Sequence, residues 1–157
     1  QDQRSGGDGG RHPGRGGSGR GAQLCHMIAF DTNLLVRHLT QDDPAQAAKV
    51  ARLLADAADR AELVLLTDIV LCETAWVLTR FYGVKRADLL KAFERVLADV
   101  QFAFQHRSEV DAALHASRAG KGHFADYLIA ALAMSAGCRT TYTFEKGLAT
   151  SAGFTRL

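Results

Sequence analysis

The chain has 157 residues, of which 47% are hydrophobic and 23% are charged, and these fractions are ordinary for a globular domain. Four of its 19 basic residues and two of its 17 acidic residues fall in residues 1–26, so residues 27–157 hold 15 of each and are formally neutral. Net charge therefore gives no argument for nucleic-acid binding, which would need a local basic patch. The length predicts one domain with a substantial core.

Residues 1–26 are predicted to lie outside the fold. Nine of the 15 glycines occur there, mixed with Arg, Ser and Asp, and such a composition cannot bury enough surface to offset chain entropy. We interpret the segment as a flexible tail, a cloning remnant, or translated sequence upstream of a start at Met27. The alternative, an RNA-contacting Gly/Arg segment, is disfavoured because the segment has few arginines and no aromatic rings for bases to stack on.

The three cysteines, Cys25, Cys72 and Cys138, form no CxxC pair and no zinc-binding pattern. Cys72 and Cys138 are expected to be small buried hydrophobes, and an odd, unpatterned count favours a reducing compartment. No apolar run approaches the roughly 20 residues that span a membrane, and no signal-peptide segment precedes the domain. We expect a cytoplasmic protein that does not enter a membrane.

Strands and helices are predicted to alternate along the chain. The predicted strands are 27–31, 63–66, 100–104, 140–144 and 154–157, and the predicted helices are 32–39, 45–60, 68–82, 85–98, 108–119, 124–136 and 145–149. This alternation indicates an α/β fold with a mostly parallel sheet and helices on both faces. The helix at 124–136 is expected to be buried because it is nearly all apolar. The aromatic residues expected in the core are Trp76, Phe81, Tyr82 and Phe93.

Four acidic residues fall at comparable places in this pattern. Asp31 ends the first strand, Asp126 lies in the first turn of the apolar helix, and Glu145 follows the fourth strand. In a parallel sheet these places share the edge where ligands bind. Glu73 lies about two turns into the helix after the second strand and reaches that edge if its helix leans across it.

Each acid has a simpler reading when it is taken alone. Asp31, Asp126 and Glu145 can be charges that stabilise a helix start by about 0.3–1 kcal/mol each. Glu73 has no capping role and no cationic residue three or four positions away. The sequence around it is largely apolar, and an apolar environment is costly for a lone carboxylate.

Gathered together, the four acids would repel one another. Two like charges about 4 Å apart cost about 4 kcal/mol at an effective dielectric of 20, unless protons are retained or a hard divalent cation is bound. Oxygen ligands without His or Cys favour Mg²⁺ or Mn²⁺ over zinc. Such ions suit phosphodiester hydrolysis, because one acidifies the attacking water and another stabilises the leaving oxygen.

Four segments of the chain match a family pattern in order and spacing: Asp31-Thr32-Asn33-Leu34-Leu35-Val36-Arg37, Glu73-Thr74-Ala75-Trp76-Val77-Leu78, Phe124-Ala125-Asp126-Tyr127-Leu128-Ile129-Ala130 and Thr143-Phe144-Glu145. With this pattern the chain resembles the PIN-domain ribonucleases over residues 27–157, and within them the VapC-type toxins of toxin–antitoxin pairs. The resemblance implies a small three-layer α/β/α sandwich that binds Mg²⁺ or Mn²⁺ and cuts RNA. It also implies a cognate antitoxin and a homodimer as partners, and the surface near Trp76 and Phe81 is one place for either.

Carried over by position, Asp31 and Asp126 resemble the principal metal ligands, Glu73 the acid of the second segment, and Glu145 the fourth acid. Many relatives have Asp at that fourth position, so Glu145 leaves open whether one or two metal ions bind. The resemblance also suggests supporting residues. Asn33 and Thr143 either orient ligands or water or cap local structure. The residues that either contact RNA phosphates or are ordinary surface charges are Arg37, Lys121 and Lys146, whereas His123 as a general base is disfavoured.

The resulting hypothesis is a metal-dependent endoribonuclease toxin. Its alternative is a PIN-fold module that binds RNA or protein without cutting, towards which Glu145 is the sequence hint. A phosphatase of the haloacid dehalogenase type also begins with a strand that ends in Asp. It is disfavoured because Asn33 stands where that family needs a second Asp.

Overall fold

The computed structural model describes residues 26–157. These residues form the strands β1 (Met27–Ala29), β2 (Leu63–Leu66), β3 (Phe102–Phe104), β4 (Thr141–Thr143) and β5 (Phe154–Arg156), and the helices α1 (Thr32–Thr40), α2 (Pro44–Asp59), α3 (Asp68–Arg80), α4 (Arg86–Ala98), α5 (Arg107–Ala119) and α6 (Phe124–Ser135), with a 3₁₀ turn at Lys146–Leu148. The predicted tail, apart from residue 26, lies outside the described residues, as does Cys25.

All strand pairs in the described residues are parallel. The strands β1, β2 and β3 form one sheet with β2 in the middle, and Ile28, Val64 and Phe102 stand side by side across it. The strands β4 and β5 form a second, two-stranded parallel sheet. Parallel neighbours need long crossover connections, and here two helices lie between β1 and β2 and two between β2 and β3. The predicted α/β sandwich with a mostly parallel sheet is confirmed.

The core lies where the central strand meets the inner faces of the helices. Val64 and Leu66 on β2 are fully buried, as expected for a strand covered on both faces. The inner face of α5 consists of Val110, Ala113, Leu114 and Ser117. The buried residues of α4 include Leu89, Leu90, Phe93 and Leu97.

Side-chain caps fix where the first helices begin. Asp31 Oδ1 accepts a hydrogen bond from the Leu34 amide at 2.9 Å, and Thr67 Oγ1 accepts one from the Val70 amide at 3.4 Å. Each such cap contributes about 1 kcal/mol. Pro44 occupies the first position of α2, where its missing N–H costs nothing. The predicted starts of these helices are therefore confirmed.

Several predicted boundaries change. Strand β1 ends at Ala29 rather than at residue 31, and β4 spans 141–143 rather than 140–144. Strand β3 begins at Phe102 rather than at residue 100, because the Gln101 amide donates to Asp99 Oδ1 at 2.9 Å in a tight turn. That turn leaves Val100 90% exposed. The predicted helix at 145–149 is only a single 3₁₀ turn.

The prediction of a buried aromatic cluster was wrong for three of its four members. Phe93 is buried, but Trp76 is 58% exposed, and Phe81 and Tyr82 also lie at the surface. Helix α3 buries the face that carries Leu71 and Ala75, and Trp76 projects about 100° around the helix from Ala75. Phe81 and Tyr82 follow the last residue of the helix.

Two other burial predictions also change. Cys138 is exposed and Cys72 is half-buried, because Cys138 follows Gly137, where the chain leaves α6 with a φ of 90°. Helix α6 is not buried all round, since Ile129 and Met134 are each more than half exposed. None of the helices formed by residues 26–157 is long and apolar enough to cross a membrane.

His38 is expected to make stability depend on pH. Its ring is half-buried on α1 in edge-on contact with Phe102, with ring centroids 5.6 Å apart. Burial lowers its pKa, and the charge of Asp99 offsets this only in part. The unfolded chain binds a proton below about pH 6.5 while the folded ring stays neutral to lower pH. The contribution of neutral His38 to the free energy of unfolding is therefore complete above about pH 6.5 and is lost as the pH falls towards the pKa of the folded state.

We expect His38→Gln to flatten the decline in unfolding free energy between pH 7 and pH 5, measured by urea titration at each pH. The matched control is His115→Gln, since His115 is exposed on α5. Equal slopes for wild type and His38→Gln would contradict the assignment.

Candidate functional site

Three of the four predicted acids lie at the start of a helix or turn, and the fourth lies in the middle of a helix. Asp31 caps α1 and Glu145 caps the 3₁₀ turn after β4. Asp126 lies in the first turn of α6, and Glu73 is the sixth residue of α3. Asp126 is half-buried and the other three are exposed. The expectation that Glu73 sits in an apolar environment was wrong, because its side chain points away from the core.

Glu73 is joined to the start of α1 by a hydrogen bond. The hydroxyl of Thr32 donates to Glu73 Oε2 at 2.5 Å, and Thr32 itself is buried. Because Thr32 directly follows Asp31, this bond places Glu73 beside the residue next to the first acid. Thr32 was not among the predicted site residues, and its position directly after Asp31 was the signal available.

Asp126 is held by the loop that precedes it. Its Oδ2 accepts a hydrogen bond from the His123 amide at 2.7 Å, which is one half of a capping box. Gly122 is buried against both neighbours: a Cβ built there would lie 3.1 Å from Asp126 Oδ2 and 2.2 Å from Leu148 Cδ2. The Gly122 amide also donates to the Tyr127 hydroxyl at 3.1 Å. Only a glycine allows this loop to pack between Asp126 and the 3₁₀ turn.

Glu145 is held in a similar way on the other side of this loop. Its Oε1 accepts from the Gly147 amide at 3.2 Å, and its own amide donates to Thr143 Oγ1 at 3.0 Å. A Cβ at Gly147 would lie 3.6 Å from Lys121 Cβ, which places Lys121 against this turn. Asp126 and Glu145 therefore flank a single packed layer formed by the 120–123 loop and the 3₁₀ turn.

Cys72 shows that the middle of α3 faces the start of α6. Its thiol is half-buried, and its pKa is raised first by burial and then by the negative charges of Asp68 and Asp126. Since Cys72 precedes Glu73, the charge of Asp126 acts on the part of α3 that carries the second acid. Cys72 and Asp126 also line the same cleft, so the start of α6 lies close to the residue that precedes Glu73.

Within residues 26–157, no three His, Cys, Asp or Glu side chains form a group that would already hold a metal ion. Each of the four acids uses one carboxylate oxygen as an acceptor, and its other oxygen has no donor among these residues. Carboxylate oxygens are the ligands that Mg²⁺ and Mn²⁺ prefer. The residue types and their free oxygens therefore fit such an ion, although a three-ligand group is not preformed.

Arg37 is engaged within the fold through two of its three guanidinium nitrogens. Its Nη1 donates to Asp42 Oδ1 at 2.9 Å and to the Tyr82 hydroxyl at 2.8 Å, and its Nε donates to Gln46 at 2.8 Å. The hydrogen bond with Tyr82 and the charge of Asp42 raise the pKa of Arg37. The guanidinium therefore ties the turn after α1 to the end of α3.

The other predicted supporting residues lie at the surface or in a turn. Asn33, Lys121, His123 and Lys146 are exposed. The Thr143 hydroxyl accepts from the amide of Glu145, so the capping role that was one of its two alternatives is observed.

One pair at the carboxyl edge of the sheet was missed. Asp68 follows β2 by two residues and His106 follows β3 by two, and their Oδ2 and Nδ1 atoms are 2.6 Å apart. The second oxygen of Asp68 is buried without a partner in residues 26–157. The rule that selected Asp31, an acid just beyond a buried strand, also applies to Asp68.

Gly122→Ala is expected to destabilise the protein by about 1–3 kcal/mol, as overpacking does in a tight site. The new methyl group would press on Leu148 and on the carboxylate of Asp126. Urea unfolding measures the change, and Gly147→Ala is the control because its added Cβ would meet nothing closer than 3.4 Å. Equal stability of the two variants would show that the 120–123 loop is not tightly packed.

A comparison with protein families complements this geometry. The PIN domain family model matches residues 28–153, which is most of the chain and includes all four acids. A comparison with curated proteins found no match. On the strength of the family match, the chain belongs to the PIN domain family.

Proposed function

We propose that this protein is an endoribonuclease that hydrolyses RNA phosphodiester bonds with Mg²⁺ or Mn²⁺, and that it is the VapC-type toxin of a toxin–antitoxin pair. PIN domains are generally nucleases and commonly metal-dependent ribonucleases. The observation that carries the proposal is the set of four acids, each with one oxygen fixed by the fold and one oxygen left free.

In this proposal, Asp31 and Asp126 are the principal metal ligands, and Glu73 and Glu145 complete the set. These residues would hold a divalent ion, whose chemistry there would be to acidify a water and to stabilise the charge on the leaving oxygen. The protein contributes the positions: Thr32 restrains Glu73 through its hydroxyl, and the His123 amide restrains Asp126.

The remaining predicted residues support substrate binding. Lys121 and Lys146 are exposed on either side of the Glu145 turn, where a positive charge attracts RNA phosphates. The amide of Asn33, two residues after Asp31, is exposed and can orient water. We assign Arg37 a mainly structural role because its Nε and Nη1 donors are already used by Gln46, Asp42 and Tyr82.

The antitoxin is proposed to bind the groove between α1 and α2. This groove has a volume of about 240 Å³, and it is lined by Asn33, Leu34, Arg37, Gln46, Lys49, Val50 and Leu53. Its apolar floor and basic rim suit an amphipathic segment that carries acidic residues. A partner bound next to Asn33 would also obstruct access to Asp31. The proposal further includes a homodimer acting in the cytoplasm, and light scattering of the purified chain tests the dimer.

A second candidate is a PIN-fold module that binds RNA or protein without cutting. The observation that favours it is that no three ligands are already grouped within residues 26–157. Glu145 also stands where many relatives carry the shorter Asp. This candidate predicts tight RNA binding without turnover under any divalent ion.

Asp31→Asn and Asp126→Asn are expected to reduce RNA cleavage by more than about a hundredfold, because even the outer-shell partners of metal ligands are worth about 10–100-fold. Cleavage of a mixed RNA pool is measured with Mg²⁺, with Mn²⁺ and with EDTA, which should abolish it. The matched control is Asp56→Asn, an exposed acid on α2. Cleavage that survives in Asp31→Asn, in Asp126→Asn or in EDTA would refute the proposal.

Thr32→Val is expected to weaken Mn²⁺ binding by about 10–100-fold, because it removes the hydroxyl that holds Glu73. Calorimetric titration with Mn²⁺ measures this without any RNA. Thr32→Ser keeps the hydroxyl and should bind Mn²⁺ nearly as well as wild type. Equal affinities for the Val and Ser variants would show that the hydrogen bond does not position a ligand.

A further inference from the structure

A second cleft lies beside Asp126. It has a volume of about 240 Å³ and is formed by the middle of α3, one residue of α4 and the start of α6, and its lining includes Cys72, Trp76, Thr79, His123 and Asp126. This is smaller than the roughly 300–1,000 Å³ of pockets that take a drug-sized ligand. The size suits a single flat ring system.

Trp76 gives this cleft an exposed aromatic wall. Its side chain is 58% exposed, and it meets Phe81 in a T-shaped contact with centroids 5.2 Å apart. A T-shaped contact covers at most one face of the indole, so at least one face stays free of Phe81. Trp76 also follows Glu73 by three residues, and such residues are neighbours on a helix surface. Trp76 is therefore next to Glu73 on the surface of α3, and it lines the same cleft as Asp126.

Polar groups complete the cleft. The Thr79 hydroxyl donates to the Ala75 carbonyl at 2.8 Å, which leaves its oxygen free to accept. The ring of His123 is exposed at the opposite wall. These groups offer hydrogen bonds to the edge of a ring that lies on Trp76. A purely apolar protein-docking surface would not need them.

We propose that this cleft, which we call the Trp76 cleft, binds one unpaired base of the RNA substrate next to the bond that is cut. The inference rests on the proposed function and specifies its substrate class as single-stranded RNA. Stacking of a base on an aromatic side chain is a general way to bind single strands, and unpaired bases are the ones that proteins read. Arg80, one turn after Trp76, and Lys121, near Asp126, are exposed cations that flank the cleft.

The single tryptophan of the chain makes the cleft directly observable. The sequence contains one Trp, so all indole fluorescence comes from Trp76. The probes are 2′-O-methyl hexanucleotides of uridine, cytidine or adenosine, which resist cleavage, and an abasic hexanucleotide of equal charge. Titrations in EDTA remove any contribution from catalysis. We expect saturable quenching by at least one of the base-containing probes and binding of the abasic probe about tenfold weaker or more.

Variants separate stacking from other roles of the aromatic surface. Anisotropy of a labelled hexanucleotide should show about tenfold weaker binding for Trp76→Ala and a change of less than about threefold for Trp76→Phe, which keeps a ring. Phe81→Ala is the matched control, since Phe81 touches Trp76 but does not line the cleft. Thermal unfolding followed by circular dichroism checks that each variant is folded.

Equal binding of abasic and base-containing probes would overturn the proposal, and so would an RNA affinity that is unchanged in Trp76→Ala. If Trp76→Ala lost the mass of a dimer but kept its RNA affinity, the surface would be a protein interface instead. Base-dependent quenching without any cleavage by the wild type would support the cleft while refuting the proposed nuclease. Metal-dependent cleavage that is unchanged in Trp76→Ala would support the proposed nuclease while refuting the proposed role of the cleft.

Discussion

The site depends on one constraint: each of its four carboxylates has one oxygen that accepts a hydrogen bond from the fold and one oxygen that is left free. One oxygen of Asp31, Asp126 and Glu145 accepts a backbone amide at the start of a helix or turn, and one oxygen of Glu73 accepts the Thr32 hydroxyl. A cap of this kind is worth about 1 kcal/mol and fixes the direction of the carboxylate. The same bonds that begin the local structure therefore orient the oxygens that remain free.

Like-charge repulsion explains why these carboxylates can be neighbours without forming a cluster. Bringing two of them within about 4 Å costs about 4 kcal/mol at an effective dielectric of 20, which exceeds the worth of any one cap. In residues 26–157, no three of these side chains form a group, and the 120–123 loop packs against both Asp126 and the Glu145 turn. A divalent cation would reverse the sign of the interaction between carboxylates.

The sequence patterns correctly predicted the features that depend on residues close together in the chain. The apolar run Leu63–Leu66 is a strand with the predicted bounds, and α1 begins at Thr32, as predicted. The sequence did not reveal that Arg37 is held by Tyr82, 45 residues away, or that Thr32 meets Glu73, 41 residues away. Such contacts depend on how helices pack, and no spacing along the chain encodes them.

Helix α3 departs most from what its sequence suggested, and it does so at two adjacent positions. Burying a large aromatic side chain stabilises a fold by about 1.5–3 kcal/mol, yet Trp76 gives up more than half of its burial. Glu73, one turn earlier on the same surface, has no cationic partner on its own helix. Exposure is ordinary for an acid, but folding alone gives no reason to expose an indole beside it. The proposed single-stranded RNA, with a phosphate for the proposed metal ligands and a base for the ring, would give one.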